Sequence, residues 1–399
     1  MKAIYLTYDG LLDPLGQSQV LPYLIELSKS TESMRVISFE KNSQNNKLLD
    51  ATKLMLQKYQ IKWSKRKFTQ SSSPFLKIFD VFKFLILFLY ICMKEKPDLI
   101  HARGHPMAIL ASLFKIFFGF KLLFDYRGVW ADERVVKGGW NLDRKLDKLS
   151  YNFFVTLEFY ALKKADHIVA LTKKVKAVIL DKTNRLEDSI TVIPCACDYD
   201  LFDKKNRSFR GSSQTLTLGY LGSIGPAYRF DFYLNVLDQA IHSGIKCKGL
   251  VLTNNIDSAK QFVLLNYGDK IINNLEIVQA DRNQVPSFIH QMDVLLSFYT
   301  NWKSIIGTSP VKIAEAIACG IPVIANAGIG DTDEILEDLE AGITLVGYDE
   351  AGIAQAVSYL ATLHLQDFSN IRLASKKYFD LKLANELYKS SYQAIKASN

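Results

Sequence analysis

Short apolar runs separated by amphipathic stretches recur along nearly all 399 residues, and this alternation limits the fold more than any other feature. Residues 3–7, 35–39, 98–101, 121–124, 165–171 and 190–194 read as strands, with helices expected near 20–30, 75–93, 106–118 and 146–164. The strands are rich in Ile, Leu, Val and Ala instead of alternating polar with apolar, so both faces of their sheet must be covered. Strands joined by crossover helices pair in parallel. A polar stretch at 203–214 (DKKNRSFRGSSQ) reads as a linker. The pattern then restarts, with strands expected at 216–221, 249–253, 275–279, 294–298 and 321–325 and one amphipathic terminal helix over 375–395. A chain of this length exceeds what one core serves. The expected class is α/β, with two Rossmann-like domains at 1–198 and 199–375.

Composition narrows the function classes. With 48% apolar and 23% charged residues the chain is neither disordered nor a small disulfide scaffold. Its five cysteines (Cys92, Cys195, Cys197, Cys247 and Cys319) form no C-x-x-C pair, so they read as buried apolar residues and no metal site is expected. Residues 1–194 hold 31 Lys and Arg against 19 Asp and Glu, a balance of +12, whereas 195–399 hold 18 against 22, a balance of −4. A basic half suits anionic lipid or a phosphorylated acceptor; nucleic acid is not expected, because no recognised reading module is present. Met1 leads directly into a strand pattern, so no signal peptide is expected and the chain reads as cytoplasmic. The most hydrophobic run, 75–93, is interrupted by Asp80 and Lys83. Its uncharged core of about ten residues falls short of the roughly 20 that span a bilayer. A packed helix is the first reading of it. Peripheral attachment to the inner membrane face is the second, since Lys77, Lys83, Lys94 and Lys96 accompany the run and 113–124 repeats its basic, aromatic character.

Doubly wound sheets bind ligands beyond the carboxyl ends of their strands, so strand-to-helix loops are where chemistry is expected. After the strand at 216–221 comes Gly222-Ser223-Ile224-Gly225-Pro226-Ala227-Tyr228-Arg229, in which glycines would admit a phosphate to backbone amides and Arg229 would neutralise it. In Thr308-Ser309-Pro310-Val311-Lys312-Ile313-Ala314-Glu315, Ser309 suits an N-cap and Pro310 a first helical position. Lys312 then lies in the first turn, where a diphosphate would sit, with Glu315 on the same face able to accept hydrogen bonds from a ribose diol. In the first half, Gly16 and Gln17 follow the first strand. Asp125, Arg127, Trp130 and Glu133 cluster after a later one, with His101, Arg103 and His105 nearby. Carboxylates and aromatics together suit a sugar. An internal Asp–Arg pair, and a Lys312–Glu315 surface pair, are the structural alternatives.

GQSQ, DLIHARG, FDYRGVWADE, ADHIVALT, VIPCACD, YLGSIGPAY and SPVKIAEAIACGIPVIAN follow one another along the chain. In this order they resemble the retaining family-4 glycosyltransferases of the GT-B fold, over nearly the whole length. The resemblance implies two facing domains, a final helix (376–399) that crosses back to the N-terminal one, and no metal or cofactor. It implies a nucleoside diphosphate sugar on the C-terminal domain with Glu315 on the ribose hydroxyls; UDP is the default expectation and GDP the next, with Gly16, Gln17, Gly222, Ser223, Gly225, Arg229, Thr308, Ser309 and, from the helix geometry, Lys312 as the other expected donor contacts. The acceptor, a glycan or lipid-linked hydroxyl in envelope polysaccharide synthesis, would meet His101, Arg103, Trp130 and Glu133, with Asp125, Arg127, Arg229 and Lys312 nearest the chemistry. Retention by front-side attack, assisted by the leaving phosphate, is likewise implied. Two positions depart from the pattern: Gly307 stands where the first glutamate of E-x7-E belongs, and Ser223 stands near the usual arginine. A GT-B nucleotide-sugar epimerase and an inactive partner subunit are the other readings.

Overall fold

The computed structural model describes residues 1–40, 46–67, 74–203 and 215–397, with the side chains of 67 and 74–82 left aside. The chain divides into two compact units. One comprises Met1–Ala131, Leu142–Ile193 and Ala384–Asn399; the other comprises Asp132–Asn141 and Pro194–Leu383. The stretch 204–214, read as part of a linker, lies outside the described residues.

The first unit is built on a seven-stranded parallel sheet. Its strands are β1 (Lys2–Thr7), β2 (Ser33–Glu40), β3 (Ile61–Lys67), β4 (Leu99–Arg103), β5 (Lys121–Tyr126), β6 (His167–Ala170) and β7 (Ile190–Val192), in the order β3-β2-β1-β4-β5-β6-β7. The second holds β8 (Leu216–Leu221), β9 (Cys247–Leu252), β10 (Leu275–Val278), β11 (Val294–Ser297), β12 (Val323–Asn326) and β13 (Gly342–Leu345), in the parallel order β10-β9-β8-β11-β12-β13. Each sheet therefore reverses its winding once, between β1 and β4 and between β8 and β11, the points at which doubly wound sheets place their ligands.

Central strands bury every residue from Ala3 to Thr7 in β1 and all of β4, β6, β11 and β12. Two strands carry no apolar run and escaped the sequence pattern. β3 (IKWSKRK) is an edge strand whose basic residues suit an exposed ladder. β13 is a four-residue edge that begins at Gly342, where φ is +140° and a Cβ would lie 1.8 Å from the Val323 carbonyl oxygen.

The tail is two helices instead of the expected one, Ile371–Phe379 and Leu381–Ala397. They break at Asp380, which is extended and forms a β-bridge with Cys197; the Cys197 amide donates to Phe379 O (2.7 Å) and the Leu381 amide to Cys197 O (3.1 Å). Ile371–Phe379 stays with the second unit, so only residues from Ala384 onward join the first. The run at 75–93 forms the helix Pro74–Glu95, and no helix among the described residues is long and apolar enough to cross a membrane. All five cysteines are buried and unbridged.

Candidate functional site

In the second unit, the loops after β8 and β11 meet at the winding reversal. They join through an antiparallel bridge between Tyr228 and Tyr299, with the Arg229 amide donating to Phe298 O (3.2 Å) and the Thr300 amide to Ala227 O (3.1 Å). Under this junction the helix Val311–Ala318 begins. Its N-cap position is Pro310, and no side chain caps it. Ser309, expected to be the cap, instead accepts a hydrogen bond from the Cys195 amide (3.0 Å) and ties the helix entry to the segment after β7. The physical reason is register: the helix starts one residue later than expected, so Pro310 takes the cap position and Ser309 lies just outside it. An uncapped helix start leaves amide donors and the positive end of the helix dipole for an anion.

Lys312 occupies the second position of that helix. Its ammonium lies 4.3 Å from the centroid of Tyr228, 4.9 Å from Tyr299 and 5.6 Å from Tyr220, an aromatic enclosure that holds a cation by its ring faces. Burial depresses its pKa to about 7, against an upward pull from Glu315. Gly222 explains how the chain passes so close: its φ is +130°, and a Cβ there would lie 3.0 Å from the Lys312 Nζ. The Gly222 amide is already committed to Leu252 O (3.0 Å), so that glycine contributes space, not a donor. Ser223 is exposed and its carbonyl accepts from the Tyr220 hydroxyl (2.9 Å), while a Cβ on Gly225 would meet nothing within 4 Å.

Glu315 is buried, 5% exposed, and does not pair with Lys312. Arg282, which the sequence pattern did not single out, donates to its Oε1. Burial raises the Glu315 pKa and Arg282 works against that rise. Arg229 reaches Asp231 with both Nε (2.9 Å) and Nη2 (2.7 Å), and its guanidinium lies 4.3 Å over Tyr348. Thr308 follows the 3-10 turn Lys303–Gly307, and Gly307 is buried at the end of that turn.

The first unit gathers its expected residues at the carboxyl ends of β4 and β5, but mostly below the surface. Asp125 is fully buried; its Oδ2 accepts from Arg103 (3.1 Å) and from the Tyr388 hydroxyl (3.1 Å) and lies 3.6 Å from His101 Nε2. Arg127 approaches the other oxygen at 3.6 Å. Burial opposes ionisation, but Arg127, His101 and Arg103 outweigh it and hold the carboxyl well below the usual carboxylate range. His101 is also fully buried, which lowers its pKa, and its Nδ1 meets the Tyr392 hydroxyl at 3.0 Å. Tyr388 and Tyr392 belong to the terminal helix. These contacts make His101, Arg103 and Asp125 a packed network that seats that helix, with no surface of their own for a ligand.

Arg127 and Trp130 reach further out, each half-buried. Trp130 stacks with His105 (6.4 Å, 19°), whose Nε2 lies 3.2 Å from Glu158. Glu133 falls in the other unit and pairs with the exposed Lys137 at 2.8 Å. GQSQ is not a loop: Gly16 and Gln17 lie in the helix Pro14–Gln19. A Cβ on Gly16 would lie 1.9 Å from Gly10 O, and Gln17 donates to Leu11 O (2.6 Å). Both shape the turn after β1, which Glu40 completes by accepting from the amides of Leu11 (2.9 Å) and Leu12 (3.1 Å). No local signal marks Glu40, because its partners lie 28 and 29 residues away.

Comparison with known proteins follows the same division. The family described as Glycosyltransferase Family 4 matches residues 62–201, and the family described as Glycosyl transferases group 1 matches 215–362. The fold recurs in sucrose-phosphate synthase from Thermosynechococcus elongatus (TM-score 0.71, 15% identity, all of both chains covered). It recurs in Anabaena HepE bound to UDP and glucose (TM-score 0.70, 14% identity, 99% of this chain and 100% of that one). A lipopolysaccharide outer core galactosyltransferase, WaaB, matches at TM-score 0.65 and 14% identity over 99% of both chains. The chain is a glycosyltransferase of the GT-B fold. No curated protein sequence matches it. The GT-B assignment places the uncapped helix start, Lys312 and Glu315 in the part matched by the group 1 family. Among the described residues no group of three or more His, Cys, Asp or Glu could hold a metal ion.

Proposed function

We propose that the chain transfers a sugar from a nucleoside diphosphate sugar, UDP first and GDP next, to a hydroxyl of a glycan or lipid-linked acceptor, with retention of anomeric configuration. The observation that carries this is the first turn of the helix Val311–Ala318. An uncapped helix start, a lysine and a buried glutamate occupy one turn at the winding reversal. A diphosphate would draw the Lys312 ammonium out of its tyrosine enclosure, and Glu315 would accept from the ribose hydroxyls. Lys312, the helix amides and Arg229 would carry the charge that develops on the leaving diphosphate, so no metal is invoked. UDP in the HepE structure supports the nucleotide choice.

The acceptor side rests on the first unit. Ile86, Tyr90 and Met93 are exposed at helical spacing on Pro74–Glu95, and Leu113, Ile116 and Phe117 are exposed on the neighbouring helix His105–Phe118, which meets the first at Phe88 and Phe114 (6.2 Å). An apolar face with lysines in the basic half suits peripheral contact with an anionic membrane, where a lipid-linked acceptor in envelope polysaccharide synthesis would lie.

A thermal-shift panel of UDP, GDP, ADP and their sugars tests the donor, and NMR of the product's anomeric proton tests retention. Stabilisation by one nucleoside diphosphate is expected; none from any of them overturns the reading. Isomerised nucleotide sugar without acceptor would instead identify an epimerase.

A further inference from the structure

Glu315 can take a diol on both oxygens only if its carboxylate is ionised and held in one orientation; Lys312 on its own helix favours the ionisation but makes no hydrogen bond that fixes the orientation. Lys312, three residues earlier, turns to the tyrosines. The group that meets Glu315 is Arg282, from the loop between β10 and the helix Val285–Ile289, 33 residues away in sequence. Its guanidinium carbon lies 4.6 Å from the ring centroid of Phe202, a side chain with no exposed surface. A guanidinium stacked on a fixed ring loses little further freedom when it forms a directed ion pair. The pair falls on Oε1 through Nη1. A carboxylate gripped at one oxygen keeps acceptor capacity on the other, and two acceptor directions in a fixed plane are what vicinal hydroxyls require.

We propose that Arg282 is the positioning residue for ribose recognition, holding Glu315 so that its carboxylate takes the 2′- and 3′-hydroxyls of the donor nucleotide. This rests on the nucleotide-sugar reading above. Arg282 acts through Glu315 and does not itself contact the sugar being transferred. The expectation is therefore a loss of discrimination between ribose and deoxyribose, not merely a weaker site.

The test is calorimetric titration of the full chain with UDP and 2′-deoxy-UDP, or the guanosine pair if GDP is the nucleotide bound. The wild-type chain is expected to prefer the ribonucleotide by about tenfold or more, the worth of one hydrogen bond to a charged acceptor. Arg282→Met should bring that ratio close to one, as should Glu315→Gln, while Arg282→Lys restores part of it. A folded Arg282→Met chain that keeps the wild-type ratio overturns the inference and leaves the nucleotide reading standing. If Arg282→Met fails to fold, Arg282→Lys decides: an unchanged ratio overturns the proposal and a reduced one supports it. A wild-type chain that binds no nucleoside diphosphate overturns both.

Discussion

With Lys312 on the donor diphosphate, as proposed, donor binding is a proton-uptake reaction. Burial brings its pKa to about 7 in the ligand-free chain. The ammonium is then about half protonated at pH 7 and about one-tenth protonated at pH 8. A diphosphate in contact needs the charged form and raises the pKa of the lysine it meets, because an opposite charge favours ionisation. Binding should therefore take up roughly half a proton at pH 7 and about 0.9 at pH 8. The sign follows: affinity falls as pH rises through the free-chain pKa, by about eightfold between pH 6.5 and 8. The ligand should be a nucleoside diphosphate sugar, whose phosphates each carry one ester and one anhydride link and so do not titrate in this range. Isothermal titration at pH 8 in two buffers of different ionisation enthalpy reads the uptake directly. Lys312→Arg keeps the cation but stays charged throughout, so its binding should lose the buffer dependence. Equal heats in both buffers for the wild-type chain, or an affinity that is flat from pH 6.5 to 8, would refute the assignment of Lys312 to the diphosphate.

The same burial costs stability. Lys312 ionises near the ordinary 10.5 when unfolded and at about 7 when folded, so between those values the unfolded chain holds more protons and stability rises with pH. Lys312→Met should raise the melting temperature at pH 7, by at most about 4 kcal/mol of stability, with the gain shrinking toward pH 10. Gly222→Ala would place a methyl 3.0 Å from the Lys312 ammonium at a φ of +130°, and should weaken donor binding by about tenfold or more in the same titration. Tyr388→Phe removes one hydrogen bond to Asp125 and should cost about 1–2 kcal/mol in urea unfolding, whereas Asp125→Asn removes the buried negative charge that Arg103 pairs with and should cost about 3–5 kcal/mol.

The sheets were legible because central strands of a doubly wound fold are unbroken apolar runs, and β1, β4, β8 and β11 carry that signal. β3 was hidden because an edge strand needs no such run, and its sequence is mostly basic and polar. The break at Asp380 was hidden because a long-range bridge to Cys197, not a proline or glycine, interrupts the tail. At the site, the placement of Lys312 and Glu315 in one helical turn follows from spacing alone. Their partners do not: the tyrosine enclosure joins three separate segments, and Arg282 arrives from another loop. In the first unit the sequence singled out residues that the fold gathers at the ends of β4 and β5, apart from Glu133, but not how deep they lie. Asp125 and His101 look like ligand contacts until Tyr388 and Tyr392 of the terminal helix are seen to cover them.

The central claim is that the second phosphate of the donor is held at the start of the helix Val311–Ala318 by Lys312. Its most direct test compares nucleoside diphosphate with nucleoside monophosphate binding in the wild-type chain and in Lys312→Ala, measured by calorimetry at pH 6.5 as a double-difference cycle. The wild-type chain should favour the diphosphate by about tenfold to a hundredfold, the worth of one hydrogen bond between charged groups, and Lys312→Ala should lose most of that preference. A preference that survives intact in the folded variant would contradict the claim.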